Sequence, residues 1–237
     1  EFKAKKEVLK QSNFKILTDA LTQKGKAIPQ QALDIKITVQ GGIGTASEHQ
    51  CMISHYAVDS VGWGSPFLLV PEATAVDKDT RNLIAKGKEE DFYLSDISPL
   101  GVPFNTIKGT TNDKIKQERI DKERYGSSCP KKFLALNKEI TPKGLCTASS
   151  KYQKIKIAEL NEEKEYLSQD EYQKRKDKIT EKACLCVGLG NAIYAEQDIP
   201  MKGEKQGIVI CPGPNMAYFD KEVSLVEMVQ HIYGTNN

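Results

Sequence analysis

Three glycines and a threonine within five residues, Gly41, Gly42, Gly44 and Thr45, follow a β-branched run, Ile35-Lys-Ile-Thr-Val-Gln40, and open into a helix start. Without Cβ atoms these positions let backbone N–H groups converge on an anion, and the helix that follows adds the positive end of its dipole. Some fifteen residues on, Asp59-Ser-Val-Gly-Trp-Gly-Ser65 repeats strand, then glycines, then a hydroxyl. If the two strands are neighbours, Gln40, Gly41, Gly42, Gly44, Thr45, Gly62, Gly64 and Ser65 can grip one phosphate from two sides. Each motif alone is equally what a tight βα turn requires.

Other residues with chemical potential are less organised. His49 falls in the first turn of the expected helix and His55 six residues later, so the two point to different sides; His231 has no evident partner. Trp63 is expected to be a core residue or to pack on a ring. Glu48 completes the capping box Thr45-Ala-Ser-Glu48, and a carboxylate there repels an incoming phosphate unless it turns away. No catalytic acid or base stands out.

Five of the six cysteines, Cys129, Cys146, Cys184, Cys186 and Cys211, lie in the second half. Thiolates bind zinc and iron–sulfur clusters strongly, but this spacing is not that of a known ligand set, and inert core thiols are the leading expectation. A Cys-x-Cys pair in a strand sends its side chains to opposite faces unless Cys184-Leu-Cys186 forms a turn.

The chain has 237 residues, 28% charged and 39% apolar, with a net charge of +2. That composition suits a globular protein and argues against a disordered chain or a nucleic-acid binder. No apolar run approaches the roughly 20 residues of a membrane span, and the N-terminus lacks the apolar stretch of a signal peptide. A cytoplasmic protein with reduced cysteines is expected. The chain opens without an initiator Met inside an expected helix, Lys5 to Lys24, and is expected to be part of a longer polypeptide.

Residues 1–108 read as alternating helix and strand, with a right-handed βαβ crossover around the glycines and strands covered on both faces. Met52, Ile53, Tyr56 and Ala57 share one face of the crossover helix. A further helix is expected from Asp77 to about Glu90. Residues 109–237 form a Lys/Glu-rich helical extension, its charges a solvated face, with Cys/Gly/Pro-rich segments at Lys182–Gly190 and Gly207–Pro214. A second capping box, Ser224-Leu-Val-Glu227, starts the last helix, which stops near Gly234.

Gln40-Gly-Gly-Ile-Gly-Thr45, the intervening helix and Ser60-Val-Gly-Trp-Gly-Ser-Pro-Phe67 resemble the last two βα units of flavin-dependent (β/α)₈ barrels of the nitronate monooxygenase (2-nitropropane dioxygenase) type, a family with flavin enoyl reductases among its relatives. The resemblance continues through Pro71-Glu-Ala-Thr74 and the Gly101-Val-Pro103 turn, about 110 residues in all. It implies an α/β fold, the C-terminal part of a TIM-type barrel with a helical, cysteine-containing extension. It also implies an FMN-dependent oxidoreductase acting on a small molecule, with Gly41, Gly42 and Gly44 on the first phosphate turn and Gly64 and Ser65 on the second. The first six strands would come from an upstream part of the same polypeptide; a homo-oligomer is the other expected partner. Two rivals stay open. One is a barrel-derived site for a sugar phosphate or nucleotide; the other is a non-catalytic assembly or regulatory module, with or without a cysteine-bound zinc or iron–sulfur centre.

Overall fold

The structure, a computed structural model, describes residues 1–31, 33–199 and 207–235. In chain order its elements are α1 (Phe2–Gln23), β1 (Thr38–Gln40), α2 (Ala46–Ser54), β2 (Ser60–Gly62), α3 (Lys78–Lys86), β3 (Phe92–Ser95), β4 (Phe104–Ile107), α4 (Thr111–Asp121), α5 (Ser150–Glu162), α6 (Gln169–Thr180), α7 (Leu185–Glu196) and α8 (Leu225–Tyr233). The protein is mixed α/β. The described strands make two two-stranded sheets, not the wall of a barrel. Two compact units are present, Glu1–Gly64 with Val229–Asn237, and Ser65–Met228.

In the first unit, β1 and β2 pair in parallel with Thr38 opposite Ser60, Val39 opposite Val61 and Gln40 opposite Gly62. Parallel neighbours need a crossover, and α2 supplies it. The helix starts at Ala46 because extended Thr45 accepts the Glu48 N–H on its hydroxyl while the Glu48 carboxylate accepts the Thr45 N–H, the expected capping box. It stops at Ser54, so Tyr56 and Ala57 lie beyond it, with Ala57 at φ +51°. The expectation of strands covered on both faces is not met. Thr38, Gln40 and Ser60 are exposed, and the buried residues described in this unit are Ile43, Gly44 and Val58. Polar side chains alternate with Val39 and Val61 along these short strands, which gives each a wet face. Helix α1 buries no residue and leaves Val8, Leu9, Ile16 and Leu17 exposed.

In the second unit, β3 and β4 form an antiparallel pair running from Phe92 opposite Ile107 to Ser95 opposite Phe104. Asp77 caps α3 through the Thr80 N–H, close to the expected start, and Gly87 ends that helix early. Ser149 and Ser168 cap α5 and α6, which pack through Tyr125, Ile157 and Leu160 with Ile120, Leu167, Tyr172 and Ile179 around them. A second cluster joins Ile97, Ala183, Leu185 and Val209. Here the sequence misleads twice. Cys184 is neither in a strand nor in a turn between strands; it precedes the helix α7, which runs through Gly188 and Gly190. Gly188 is needed because a Cβ there would stand 2.6 Å from the Val209 side chain, and Val209 donates its N–H to the Gly188 carbonyl. Close packing thus offsets the low helix propensity of glycine. Among the described residues no helix is long and apolar enough to cross a membrane.

Candidate functional site

The parallel register fixes the geometry of the glycine turns. Because Gln40 stands opposite Gly62, the turn leaving β1 and the Trp63–Gly64 segment leaving β2 emerge at the same end of adjacent strands. Gly41 and Gly42 take the left-handed φ values +96° and +74°, are exposed, and have open space where a Cβ would point. Gly64 is equally open. Gly62 serves a different purpose from the expected one: the Gln40 side chain lies against it, with Cγ 2.6 Å from where a Cβ would be. Ser65 begins the second unit, and its Oγ accepts the Gly213 N–H at 2.8 Å.

The next donors of the turn already hold an anion. Glu48 Oε2 accepts from the Gly44 N–H at 2.9 Å, the Thr45 N–H at 3.0 Å and the Thr45 hydroxyl at 3.1 Å. The carboxylate does not turn away from these donors. It sits where converging N–H groups and the N-terminus of α2 favour negative charge.

An aromatic and histidine cluster backs this turn, and the sequence did not reveal it. His231, on the part of α8 that belongs to the first unit, donates Nε2–H to the Gly44 carbonyl at 2.7 Å, so it has a partner after all. Trp63 donates its indole N–H to His49 Nδ1 at 3.0 Å, which places the His49 proton on Nε2. The Trp63 and His231 rings meet edge to face at 6.0 Å, and Tyr233 lies 6.1 Å from His49 between ring centres. Gly234, at φ +65°, ends α8 with only 3.1 Å between its missing Cβ and that of Ala46, bringing the helix end against the start of α2. The signal that could have linked these residues was Trp63 itself, a large polar-tipped ring in a glycine segment that needed a hydrogen-bond acceptor nearby.

The cysteines come together only in part. Cys129 and Cys184 are both close enough to Cys146 to interact with it electrostatically. Cys51 and Cys211 are exposed, and Cys186 is half-buried within α7. Burial, reinforced by the neighbouring thiols, pushes Cys146 up to about 12. Among the described residues no group of three His, Cys, Asp or Glu side chains could hold a metal ion. A cavity of about 30 Å³ lies between α4 and α7, lined by Asn112, Lys116, Arg119, Cys184 and Asn191 among others. That is room for ordered water and not for an organic substrate.

No protein-family model matches the chain, and no curated protein matches it. Among solved structures, the enoyl reductase domain of MlnA from the macrolactin biosynthesis cluster of Bacillus amyloliquefaciens superposes at a TM-score of 0.43 and 15% identity. The alignment covers 92% of this chain and 50% of that one, so this chain spans half the length of that structure. A superposition at this level fixes neither fold nor activity.

Proposed function

We propose that this chain carries the phosphate-binding part of an FMN-dependent oxidoreductase of the nitronate monooxygenase-like (β/α)₈ type, acting on a small organic molecule. The observation that carries the reading is the pairing of Gln40 with Gly62, which sets both glycine segments at one end of adjacent parallel strands. Phosphate sites of α/β proteins lie at that end, beyond the carboxyl termini of the strands. The N–H groups of Gly41 and Gly42, with room around Gly64, would hold the FMN phosphate, and Gly44 and Thr45 would join when Glu48 swings aside. The flavin, when bound, supplies two-electron redox chemistry; the residues of this chain bind the phosphate and orient what is attached to it. The remaining barrel strands would come from upstream sequence of the same polypeptide or from a second copy.

One observation favours the rival reading, a non-catalytic module. Glu48 satisfies the donors of Gly44 and Thr45 from within, as a purely structural cap does. Titration of the protein with FMN, followed by flavin fluorescence and by the absorption bands near 370 and 450 nm, separates the two. Saturable binding that weakens at least about tenfold in Gly42→Val supports the flavin site, since a β-branched residue is strained at φ +74°. FMN that does not bind, with inorganic phosphate showing no binding either, leaves the module reading.

A further inference from the structure

The cavity between α4 and α7 is not used by the flavin reading, and its walls carry one sign of charge. Lys116 and Arg119 reach it from α4 and Lys182 from the segment before α7, and no carboxylate is among its described lining residues. Each cation is held from within the fold. Lys116 lies 3.9 Å from Asp113, Arg119 donates to the Gly126 carbonyl at 3.1 Å and to the Ser127 hydroxyl at 3.2 Å, and Lys182 donates to the Asp96 carbonyl. Asp113 itself is turned to the start of α4, where it accepts the Gly109 and Thr110 N–H groups. An ammonium carries three donors, so both lysines keep N–H groups for a ligand.

Cys184, Val187, Gly188 and Asn191 line the same cavity, at the i, i+3, i+4 and i+7 positions of one helical face. That face begins at the N-terminus of α7, whose first N–H groups have no intrahelical acceptor and receive no cap from the Cys184 side chain. Asn191 adds a buried acceptor. It is 1% exposed, and its Oδ1 has no hydrogen-bond partner among the described residues. Its Nδ2 donates to the Gly207 carbonyl at 2.9 Å, which fixes the amide orientation and turns Oδ1 the other way. Side chains on a helix lean toward its N-terminus, so this acceptor leans toward the uncapped end of α7.

We propose that this cavity is a binding site for inorganic phosphate, one that distinguishes phosphate from sulfate. Positive side chains and a helix N-terminus favour a small oxyanion through charge-assisted hydrogen bonds. They do not by themselves choose between tetrahedral oxyanions. Asn191 does. A carbonyl oxygen only accepts, so it needs a ligand that brings an O–H along with its negative charge. Near neutrality the monoanion and the dianion of inorganic phosphate both keep a proton, whereas sulfate keeps none. Sulfate would set its lone pairs against those of Asn191 Oδ1 and leave that acceptor unpaired. The volume of about 30 Å³, enough for about two or three waters, suits a compact tetrahedral anion and not the organic group of a phosphate ester. The site lies within the second unit and is independent of the glycine turn of the first.

The test is calorimetric titration of the folded full chain near neutral pH with inorganic phosphate and, separately, with sulfate, repeated on Lys116→Gln and Gly42→Val. The second variant disables the glycine turn, so phosphate bound there and phosphate bound beside α7 are told apart. The expected result is saturable phosphate binding that survives in Gly42→Val and weakens about fivefold or more in Lys116→Gln, with circular dichroism unchanged. Sulfate should bind at least about tenfold more weakly than phosphate. Should Lys116→Gln fail to fold, the ratio of phosphate to sulfate affinity in Gly42→Val decides. Phosphate binding that Gly42→Val abolishes, or that a folded Lys116→Gln variant leaves unchanged, overturns the proposal. So does sulfate bound as tightly as phosphate, which would mean that Asn191 Oδ1 meets no ligand hydroxyl.

Discussion

Glu48 Oε2 lies 2.9 Å from the Gly44 amide nitrogen, so the glycine turn holds a carboxylate of its own where the proposed phosphate would bind. Glu48→Gln separates the two roles of this side chain. A Gln at the third helical position still accepts the Thr45 N–H, so α2 keeps most of its cap, but the competing charge is gone. A charge at a helix N-terminus is worth about 1 kcal/mol. The variant should therefore bind FMN or inorganic phosphate roughly fivefold more tightly, as read by calorimetric titration. Equal or weaker binding would mean that Glu48 does not compete for the turn.

Trp63 is the only tryptophan of the chain, so its fluorescence reports directly on the cluster behind the turn. His49→Phe keeps a ring against Trp63 and Tyr233 but removes the acceptor of the indole N–H. The emission of Trp63 should shift, and unfolding followed at this probe should move by about 1 kcal/mol, the worth of one partly buried hydrogen bond. Trp63→Phe in the His49→Phe background should then cost less than in the parent. Additive losses in that double-mutant cycle would show that the bond contributes nothing measurable.

Local signals in the sequence were reliable where their cause was local. The Thr45–Glu48 and Ser224–Glu227 boxes form as their spacing predicts, because a capping box needs four residues and no tertiary help. The parallel pairing of β1 with β2 was legible too, since β-branched runs joined by a short helix permit one crossover. His231 was not. Its bond to the Gly44 carbonyl spans 187 positions, and no periodicity encodes such a distance. Cys184 was misread because glycines at 188 and 190 argue against a helix, and only the approach of Val209 makes one of them necessary.

Arg81 shows how the second unit treats a buried charge. Its side chain is 8% exposed and meets Glu196 at 3.1 Å and Glu222 at 3.0 Å. Removing a buried charge strands its partners, at a typical cost of 3–5 kcal/mol, with partly exposed carboxylates placing Arg81→Ala near the lower bound, about 3 kcal/mol. Glu222→Gln should cost less, because Glu196 still neutralises the guanidinium. Urea unfolding of the two variants checks the order. A Glu222→Gln loss equal to that of Arg81→Ala would show that Glu196 carries no share of the pairing.

Glu139 gives the fold a pH dependence whose direction can be stated. Its carboxylate accepts from Lys156 Nζ at 2.8 Å and from the Tyr152 hydroxyl at 2.9 Å. These two bonds, that of Lys156 first, hold the carboxyl below the ordinary glutamate value. A carboxyl depressed in the folded state contributes fully above its unfolded value and loses that contribution as pH falls through its lower folded value. For a half-exposed pair the contribution is at most about 1 kcal/mol. Glu139→Gln should therefore be less stable than the parent near neutrality by up to that amount, and the two urea midpoints should converge as the solution is acidified toward about pH 3. Tyr152 offers a second readout. It is raised to about 12 chiefly by burial and then by Glu139, so its ionisation, followed by tyrosinate absorbance, should move down in the variant without returning to the ordinary phenol value. A constant gap between the midpoints across the acid range would place the stabilising role of Glu139 in packing and not in its charge.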